Sequence, residues 1–481
     1  MLFSCLYGQA PDTLWVRIYG GQFDDYGNGV CETSDGGLIL TGMSSTSGAG
    51  DVYVVRTNAD GDTLWTNAYG GNYWDHGYAI QPTLDNGFIT AGYTCSYNPS
   101  NNEDFFLVKI DSSGNEQWIR NYGGDSMDAA YGVTVTSDSG YIVVGRTLSY
   151  GSGDMDIYCV KVRANGDTLW TRTYGGPADE GSYGIVEKGD SCYIIAGHTA
   201  SQGAGNSDIY ILCIDLNGDT LWTRTYGGVG FDFAYGITAA QNNGFIVVGK
   251  TRSYGAGSWD LYLIGTDQFG DTLWTKVYGG ILDDVGFSIQ ETYDGGYIVA
   301  GYTMSFGVGN ADIYLLKIDA HGDTLWTSVL GGIYEDLGRS IIQTSDSGYV
   351  CCGLTNSFGS GGFNYILAKL APDTLGLLES ERLALITTAP MLSVYPNPSH
   401  YNVQLLIRDP GTGFEKGSIH IYDCLGRSIK HLPFAKMKGD RLKTVLWDMT
   451  SDQWDRVPSG VYYVEVRAGQ VSERRKVVIF Y

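Results

Sequence analysis

The chain has 481 residues, which at roughly 150 residues per domain is enough for about three domains. Its 69 glycines are about twice the average usage and follow no G-X-Y period, which excludes collagen and predicts many tight turns. The 36 tyrosines and 11 tryptophans favour a β-rich protein, and no apolar run is long enough to predict a transmembrane helix. The net charge of −23 repels phosphate backbones, so we expect no nucleic-acid partner.

Charge is divided unevenly along the chain. Residues 393–481 contain 13 basic and 9 acidic residues, a net charge of +4, whereas residues 1–392 contain 17 and 44, a net charge of −27. This difference predicts two differently built parts. The nine cysteines show no zinc-site spacing, and we expect buried thiols rather than a disulfide framework.

The first ten residues, MLFSCLYGQA, are apolar and end in a small-x-small sequence that fits a signal peptidase site. A complete signal peptide also has a basic start and a longer apolar segment. Residues 1–10 are therefore interpreted as the remnant of a signal peptide. A lipoprotein signal at Cys5 is the alternative.

Seven tryptophans share one local context, seen around Trp222 as GDTLWTRTYGG. Their spacings are 50, 53, 52, 52, 52 and 52 residues, and they are Trp15, Trp65, Trp118, Trp170, Trp222, Trp274 and Trp326. Each unit contains four strand-like runs, with hairpin turns such as Asp294-Gly295-Gly296 and no helical period. A unit of this size cannot bury its apolar faces alone, so neighbouring units must stack.

These repeats predict an all-β chain in which residues 11–375 form a seven-bladed β-propeller of four-stranded blades, with a period of about 52 residues. The array begins with a lone fourth strand, Asp12–Tyr19, and ends after a third strand, Phe363–Leu370. We therefore expect the N-terminal strand to complete the blade formed by residues 336–370 and so to close the ring.

The hairpin sequence IDLNGDTLWTRTYGG resembles the tryptophan docking motif of quinoprotein-type propellers. That resemblance implies a Trp packed between adjacent blades, and it covers only this hairpin in each repeat, so it implies no quinone chemistry. More broadly, the units look like the tandem repeats of secreted bacterial β-propeller proteins.

After a linker at 376–392, residues 393–481 contain alternating strands that predict a small β-sandwich. This region resembles the type A C-terminal sorting domain of the bacterial type IX secretion system, and the residues that carry the resemblance are Tyr395, Pro396, Asn397, Pro398, Asp423, Gly426, Arg427, Gly460, Tyr462 and Lys476. The resemblance implies export through the periplasm to the translocon in the outer membrane. It also implies removal of the domain by a sortase-like peptidase, which leaves the cargo released or attached to the surface. A carbohydrate-binding β-sandwich is the alternative.

One acidic residue recurs four positions after each Gly-Gly, and the series is Asp25, Asp75, Asp128, Glu180, Asp232, Asp284 and Asp336. It could form a carboxylate collar near the propeller axis that holds a hard cation such as calcium or attracts a basic partner. We favour a structural role, because every unit has the residue and a carboxylate can satisfy backbone N–H groups at a repeated turn. A second series, which begins at Asp51, ends with Asn364, and Asn preserves the turn hydrogen bond without the charge. No organic cofactor is predicted.

The sequence contains no G-x-S-x-G, H-E-x-x-H or P-loop motif, and we interpret His76, His198 and His321 as lone surface histidines. Because carboxylates are abundant, a catalytic pair of the kind that glycosidases use remains an alternative. Loop aromatic residues could stack on sugar rings or simply pack at the rim, and they are Tyr97, Tyr150, Tyr254, Trp259, Phe306 and Phe358. We expect a secreted or surface-attached protein that binds glycan or protein and is not an enzyme. The alternatives are an extracellular carbohydrate-active hydrolase or lyase and a structural component of the cell envelope.

Overall fold

The computed structural model describes residues 10–45, 49–189, 191–373, 392–395, 403–408, 416–423, 427–435, 442–453, 455–458, 460–468 and 471–479. Two compact units divide the chain, Met1–Asp373 and Thr374–Tyr481. The expected signal-peptide remnant lies outside the described residues except for Ala10, and the expected linker lies outside them except for Leu392. Within the described ranges, no helix is long and apolar enough to cross a lipid bilayer.

The first unit consists of antiparallel strands joined by tight turns, in which residues such as Asn86 (φ 62°) and Gly295 (φ 80°) adopt a left-handed backbone. Its first 14 strands are β1 (Thr13–Tyr19), β2 (Asp25–Glu32), β3 (Leu38–Ser44), β4 (Asp51–Thr57), β5 (Thr63–Tyr69), β6 (Asp75–Pro82), β7 (Phe88–Thr94), β8 (Asp104–Ile110), β9 (Glu116–Tyr122), β10 (Asp128–Val135), β11 (Tyr141–Thr147), β12 (Asp156–Val162), β13 (Thr168–Tyr174) and β14 (Glu180–Lys188). The next 14 are β15 (Cys192–Thr199), β16 (Asp208–Asp215), β17 (Thr220–Tyr226), β18 (Asp232–Ala239), β19 (Phe245–Thr251), β20 (Asp260–Thr266), β21 (Thr272–Tyr278), β22 (Asp284–Glu291), β23 (Tyr297–Thr303), β24 (Asp312–Ile318), β25 (Thr324–Leu330), β26 (Asp336–Gln343), β27 (Tyr349–Thr355) and β28 (Asn364–Leu370).

Seven four-stranded sheets follow one another along the chain, as the repeat predicts. Blade 1 is β2–β5, blade 2 is β6–β9, and the pattern continues to blade 6, which is β22–β25. Blade 7 has the order β1-β28-β27-β26, so its outer strand comes from the beginning of the chain. The predicted fold class and blade count are confirmed.

The N-terminal strand closes the ring. Strand β1 pairs antiparallel with β28, from Thr13 opposite Leu370 to Tyr19 opposite Tyr365. The first strand of each blade contacts the first strand of the next, and β26 of the last blade contacts β2 of the first. Hydrogen bonds also cross this junction, because the backbone N–H of Ser345 donates to the Glu32 carboxylate at 2.8 Å. The expected pairing is therefore confirmed.

The solvent exposure of a strand depends on its position within the blade. The second and third strands are almost completely buried, because neighbouring blades cover both of their faces, as in β23 and β24. The fourth strands alternate between exposed and half-buried residues. The described cysteines are free thiols, and the buried ones are Cys159, Cys192, Cys213, Cys351 and Cys352.

The repeated tryptophan joins each blade to the next. Trp15 covers Gly61 so closely that a Cβ on this glycine would lie 2.8 Å from the indole ring. Equivalent contacts are found in the following blades, and the last of them is between Trp274 and Gly322. The indole N–H of Trp118 also donates to the carbonyl of Ala164 in the following blade at 3.1 Å. Packing of the tryptophan between adjacent blades, which the docking motif implies, is confirmed.

Buried cations tie the first hairpin of most blades to the third strand. Lys161, on β12, places its ammonium group 2.8 Å from the Asp138 carboxylate, and its side chain is 2% exposed. The equivalent ion pairs are Arg56–Asp35, Lys109–Asp85, Lys317–Asp294 and Lys369–Asp346. A buried charge is strongly destabilising without such a partner. Blade 5 lacks this ion pair, because Gly265 occupies the position of the cation and Asn242 occupies the position of the aspartate.

The second unit contains two sheets around one apolar core. Its strands are β29 (Leu392–Tyr395), β30 (Val403–Arg408), β31 (Lys416–Asp423), β32 (Ser428–Ala435), β33 (Leu442–Trp447), β34 (Gly460–Ala468) and β35 (Val471–Ile479). The sheet orders are β29-β30-β33 and β32-β31-β34-β35. Buried residues of both sheets, including Leu405, Ile421 and Val464, pack into the shared core. This arrangement is the small β-sandwich that the sequence predicts.

Candidate functional site

A β-bulge interrupts the first strand of every blade at the same position. In blade 2, for example, the register between β6 and β7 shifts between Gly77 and Ala79. A bulge redirects the side chain of the extra residue, and bulges are common beside functional sites. All seven extra residues line the central channel of the propeller, and they form what we call the channel ring: Asn28, Tyr78, Tyr131, Tyr183, Tyr235, Phe287 and Arg339.

Members of the channel ring contact one another around the propeller axis. The four tyrosines and Phe287 form a continuous series, in which the centroids of neighbouring rings are 4.8–5.2 Å apart. The guanidinium carbon of Arg339 lies 4.3 Å from the centroid of Phe287. On the other side, the Asn28 amide donates to the carbonyl of Gly77 at 2.9 Å. The channel ring therefore narrows the channel at one level.

A cavity of about 510 Å³ lies on one side of the channel ring. It is lined by the later residues of the inner strands, among them Val30, Ile80, Gln81 and Gln343. Aliphatic and amide side chains thus share this lining.

The other side of the channel ring holds a second tier of side chains, which we call the vestibule: His76, Arg146, His198, Lys250 and Tyr302. Each packs on the ring member of its own blade. His76 stacks on Tyr78 with centroids 4.5 Å apart, and the Lys250 ammonium lies 5.4 Å from the centroid of Tyr235. Equivalent contacts join the remaining three to Tyr131, Tyr183 and Phe287.

Blade 5 adds a distinct group at the vestibule, which we call the blade-five cluster: Phe231, Phe233, Lys250, Arg252 and Trp259. The Lys250 ammonium and the Arg252 guanidinium carbon each lie 4.2 Å from the centroid of Trp259. Phe231 and Phe233 stack nearly parallel, with centroids 6.4 Å apart. Trp259 also contacts Phe233 at 5.8 Å.

Unpaired basic side chains are concentrated in the channel. Residues 10–373 contain 16 lysines and arginines, of which nine form ion pairs with described carboxylates. Four of the other seven lie in the channel ring, the vestibule or the blade-five cluster, and they are Arg146, Lys250, Arg252 and Arg339. The Nε atoms of Arg146 and Arg339 are buried without a hydrogen-bond partner among the described residues. The site is therefore locally cationic, although residues 1–392 carry a net charge of −27.

Burial controls the charge of the vestibule. It lowers the pKa of His76 to about 3 and that of His198 to about 4, so both imidazoles are neutral at pH 7. Burial, together with Arg252 and Arg339 nearby, lowers the pKa of Lys250 to about 8. The interpretation of His76 and His198 as lone surface residues is wrong, because both are half-buried and pack on the channel ring.

The residues of the predicted carboxylate collar begin the inner strands, where each is at most 1% exposed. Each accepts a hydrogen bond from the backbone N–H four residues earlier, as Asp232 does from Gly228 at 2.9 Å. In blade 5, the Ser253 hydroxyl also donates to Asp232, at 2.5 Å. These contacts suit a turn-making carboxylate, and calcium binding stays a prediction. In the part of the chain that the structure describes, no group of three or more His, Cys, Asp or Glu side chains could hold a metal.

The predicted loop aromatic residues fall into two groups. Tyr150 and Tyr254 donate hydrogen bonds to glycine carbonyls of the preceding turn at 2.6 Å, and Tyr97 does so at 2.9 Å. Phe306 packs on Tyr314 of its own blade. These contacts are rim packing, whereas Trp259 belongs to the blade-five cluster.

Sequence reasoning missed the channel ring. Its signal was the position three residues after each repeated carboxylate, where successive units carry Asn, Tyr, Tyr, Tyr, Tyr, Phe and Arg. The alternation of apolar and polar residues along a strand does not show where a bulge shifts the register. The sequence analysis therefore did not predict that these side chains line the channel.

Several residues of the predicted sorting motif have a defined setting in the second unit. Arg427 donates through its backbone N–H and its Nε to the Asp423 carboxylate, at 2.8 and 2.5 Å. The Tyr462 hydroxyl donates to the carbonyl of Pro458 at 2.7 Å, and its ring contacts Trp447 edge-on. Gly460 begins β34, Tyr395 ends β29 and Lys476 lies in β35, whereas Pro396, Asn397, Pro398 and Gly426 lie outside the described residues.

Residues 393–480 match the family model of the secretion system C-terminal sorting domain. This part of the chain is a type IX secretion sorting domain. The sorting domain implies an interaction with the type IX secretion machinery and export to the cell surface or the extracellular space. The match confirms the prediction from the Tyr-Pro-Asn-Pro sequence and the motifs that follow.

The chain is similar to part of one curated protein. The regulatory protein FlaEY of Caulobacter vibrioides is 25% identical over 265 residues, which cover 45% of this chain and 27% of that protein. The chain thus matches about a quarter of the length of this curated relative.

Two solved structures are similar in fold. PorZ, a surface component of the type IX secretion system of Porphyromonas gingivalis, has a TM-score of 0.40 and 12% identity, over 93% of this chain and 58% of PorZ. A PL25 ulvan lyase bound to a GlcA-Rha3S saccharide has a TM-score of 0.43 and 10% identity, over 73% of this chain and 95% of the lyase.

Proposed function

We propose that the exported propeller is a binding module without catalytic activity, and that the vestibule is the surface that binds its glycan or protein ligand. The observation that carries this proposal is the break in the repeat at the channel. Equivalent positions are uniform where blades join one another, but the channel ring changes from Asn28 through four tyrosines to Phe287 and Arg339, and the vestibule holds His, Arg, Lys and Tyr. A single ligand that lies across the axis therefore meets several kinds of side chain.

The tyrosines of the channel ring support binding of a ligand with both polar and apolar surface. Their hydroxyl groups form no hydrogen bond with any described residue, whereas the tyrosine hydroxyls of the outer strands donate to the next blade, as Tyr122 does to Gly166 at 2.6 Å. Tyrosine offers an apolar ring and a polar tip, which is why it is frequent in recognition surfaces. The channel ring therefore has unused hydrogen-bonding capacity.

The test is a glycan array probed with the full-length chain, accompanied by a polysaccharide depolymerisation assay. We expect retention of a defined set of glycans and no release of products. Tyr183→Ala and Tyr235→Ala should each abolish retention, and the rim variant Tyr254→Ala is the matched control that should keep it. All variants are compared at equal folded concentration, as judged by thermal melting.

Two outcomes would overturn the proposal. Release of reducing or unsaturated ends, lost in the channel variants, would show an enzyme. Glycan or protein capture that is unaffected by both channel variants would place the binding surface elsewhere.

A further inference from the structure

The blade-five cluster brings like charges together. Lys250 lies near the end of β19, and Arg252 directly follows the last residue of that strand. Both cations contact the ring of Trp259, at 4.2 Å. Lys250 is also near the Arg339 guanidinium of the channel ring, which contributes to the lowering of its pKa. Cation–π contacts hold these groups in place, but they do not neutralise them.

No described carboxylate forms an ion pair with these three cations. The charge of Asp283 acts to raise the pKa of Lys250, but its Oδ1 accepts the backbone N–H of Trp259 at 3.3 Å. His198, which also faces Lys250, is neutral at pH 7 because burial lowers its pKa. Elsewhere in the propeller, each buried cation of the third strands has an aspartate partner. Among the described residues, the cluster therefore has no aspartate partner of the kind that pairs with those buried cations.

The adjoining surface suits a sugar ring. Phe231, which is 38% exposed, stacks on Phe233 and offers an aromatic face beside the cations. The hydroxyls of Tyr183 and Tyr235, which have no hydrogen-bond partner among the described residues, lie next to the same group, since Phe233 contacts His198 on Tyr183, and Lys250 lies over Tyr235. Aromatic faces with flanking hydroxyls can pack on a pyranose and hydrogen-bond its substituents.

Resting on the function proposed above, we propose that the blade-five cluster binds the anionic group of an acidic saccharide, a carboxylate or a sulfate. The anion lies between Lys250, Arg252 and Arg339, and the sugar ring packs on Phe231. The propeller opposes nonspecific binding of polyanions, because residues 1–392 carry a net charge of −27, whereas residues 393–481 carry +4. Retention of an acidic polymer that is lost when Lys250 or Arg252 is replaced therefore comes from the blade-five cluster.

Three polymers with one backbone test the proposal: dextran, carboxymethyl-dextran and dextran sulfate, titrated calorimetrically into the full-length chain at low ionic strength. We expect binding of one or both charged polymers and none of neutral dextran. Comparison of the two charged polymers identifies the carboxylate or the sulfate as the preferred group. Added salt should weaken the binding, since charge pairing contributes to it.

Two variants locate the site. Lys250→Gln and Arg252→Gln should each weaken binding of the charged polymer at least about tenfold, the effect of losing one charge-assisted hydrogen bond. Arg163→Gln is the matched control, because it removes one positive charge from the exposed turn between β12 and β13 and should leave the affinity unchanged. Melting temperatures confirm that all three variants are folded.

The outcomes separate this inference from the function on which it rests. Failure of both charged polymers to bind, or binding that Lys250→Gln and Arg163→Gln affect equally, overturns the inference. If neutral glycans are retained on the array and the Tyr183 and Tyr235 variants lose them, the binding function stands and only the preference for acidic saccharides fails.

Discussion

Tyrosine side chains form different contacts on the outer and on the inner strands of the propeller. On the outer strands, tyrosines at equivalent positions donate to a glycine carbonyl in the next blade, from Tyr19 to Gly61 and on to Tyr278 and Gly322. On the inner strands, the tyrosines of the channel ring form no hydrogen bond with a described residue. Uniform residues thus join the blades, and varied residues line the channel.

This difference shows where a tandem repeat can change. An outer-strand residue must fit the turn of the following blade, so each copy meets the same requirement. A channel-ring residue faces the axis and is free of that requirement. The break in the repeat therefore identifies the positions that are available for function, and three predictions test the comparison in order of expected effect.

The largest effect should come from removal of the strand that closes the ring. A chain that begins at Gly21 lacks β1, so blade 7 keeps three strands and the ion pair between Arg17 and Asp62 of blade 1 is lost. We expect the melting temperature to fall by roughly 10 °C or more relative to a chain that begins at Ala10. Differential scanning calorimetry measures the change, and equal melting temperatures would mean that β1 adds nothing to closure.

A smaller effect should come from the second carboxylate series, which has Asp in six blades and Asn364 in the seventh. Burial, and the charge of Asp336, raise the pKa of Asp312 to about 7. A carboxyl with a raised folded pKa costs stability as the pH rises from about 4 to 7, and that cost persists above pH 7. Asp312→Asn should therefore stabilise the protein by about 1–2 kcal/mol at pH 8 and have little effect near pH 4.

Asp215 provides a control with the opposite sign. It is the last residue of β16, at the start of a turn, where hydrogen bonds from the backbone N–H groups of Asp219 and Asn217 lower its pKa. Asp215→Asn should therefore destabilise the protein at pH 8. Urea unfolding at both pH values measures the two variants, and stabilisation by neither or by both would contradict these assignments.

The smallest effect comes from two matched Tyr→Phe variants. Tyr174 donates to the carbonyl of Gly218 at 2.7 Å, so Tyr174→Phe should cost about 1 kcal/mol of unfolding free energy. The Tyr183 hydroxyl has no hydrogen-bond partner among the described residues, so Tyr183→Phe should change stability by less than about 0.5 kcal/mol and weaken ligand binding instead. Chemical denaturation distinguishes them, and a larger loss for Tyr183→Phe would reverse the roles of the two positions.

Much of the fold could be predicted from local sequence. The 52-residue spacing of the tryptophans specified seven blades, and the lone strand before Gly20 specified closure through β1. The sorting domain followed from motifs such as Asp423 with Arg427, which lie close together in the chain. These features are local or periodic, so no long-range contact had to be known.

The channel site could not be predicted in the same way. The sequence analysis included Trp259 among the loop aromatic residues, but it did not predict the contacts of Trp259 with Lys250 on β19 and with Arg252, which follows that strand. His76 and His198 looked isolated because they occupy different strands of different blades.

The sequence by itself determined the repeated unit, the number of blades and the identity of the sorting domain, because strand patterns and turn residues act over a few neighbouring positions. Only the tertiary structure decided which side chains meet in the channel. Seven bulges, each a local shift of one residue, turn side chains from Asn28 to Arg339 toward a common axis. That convergence exists only when the last blade meets the first.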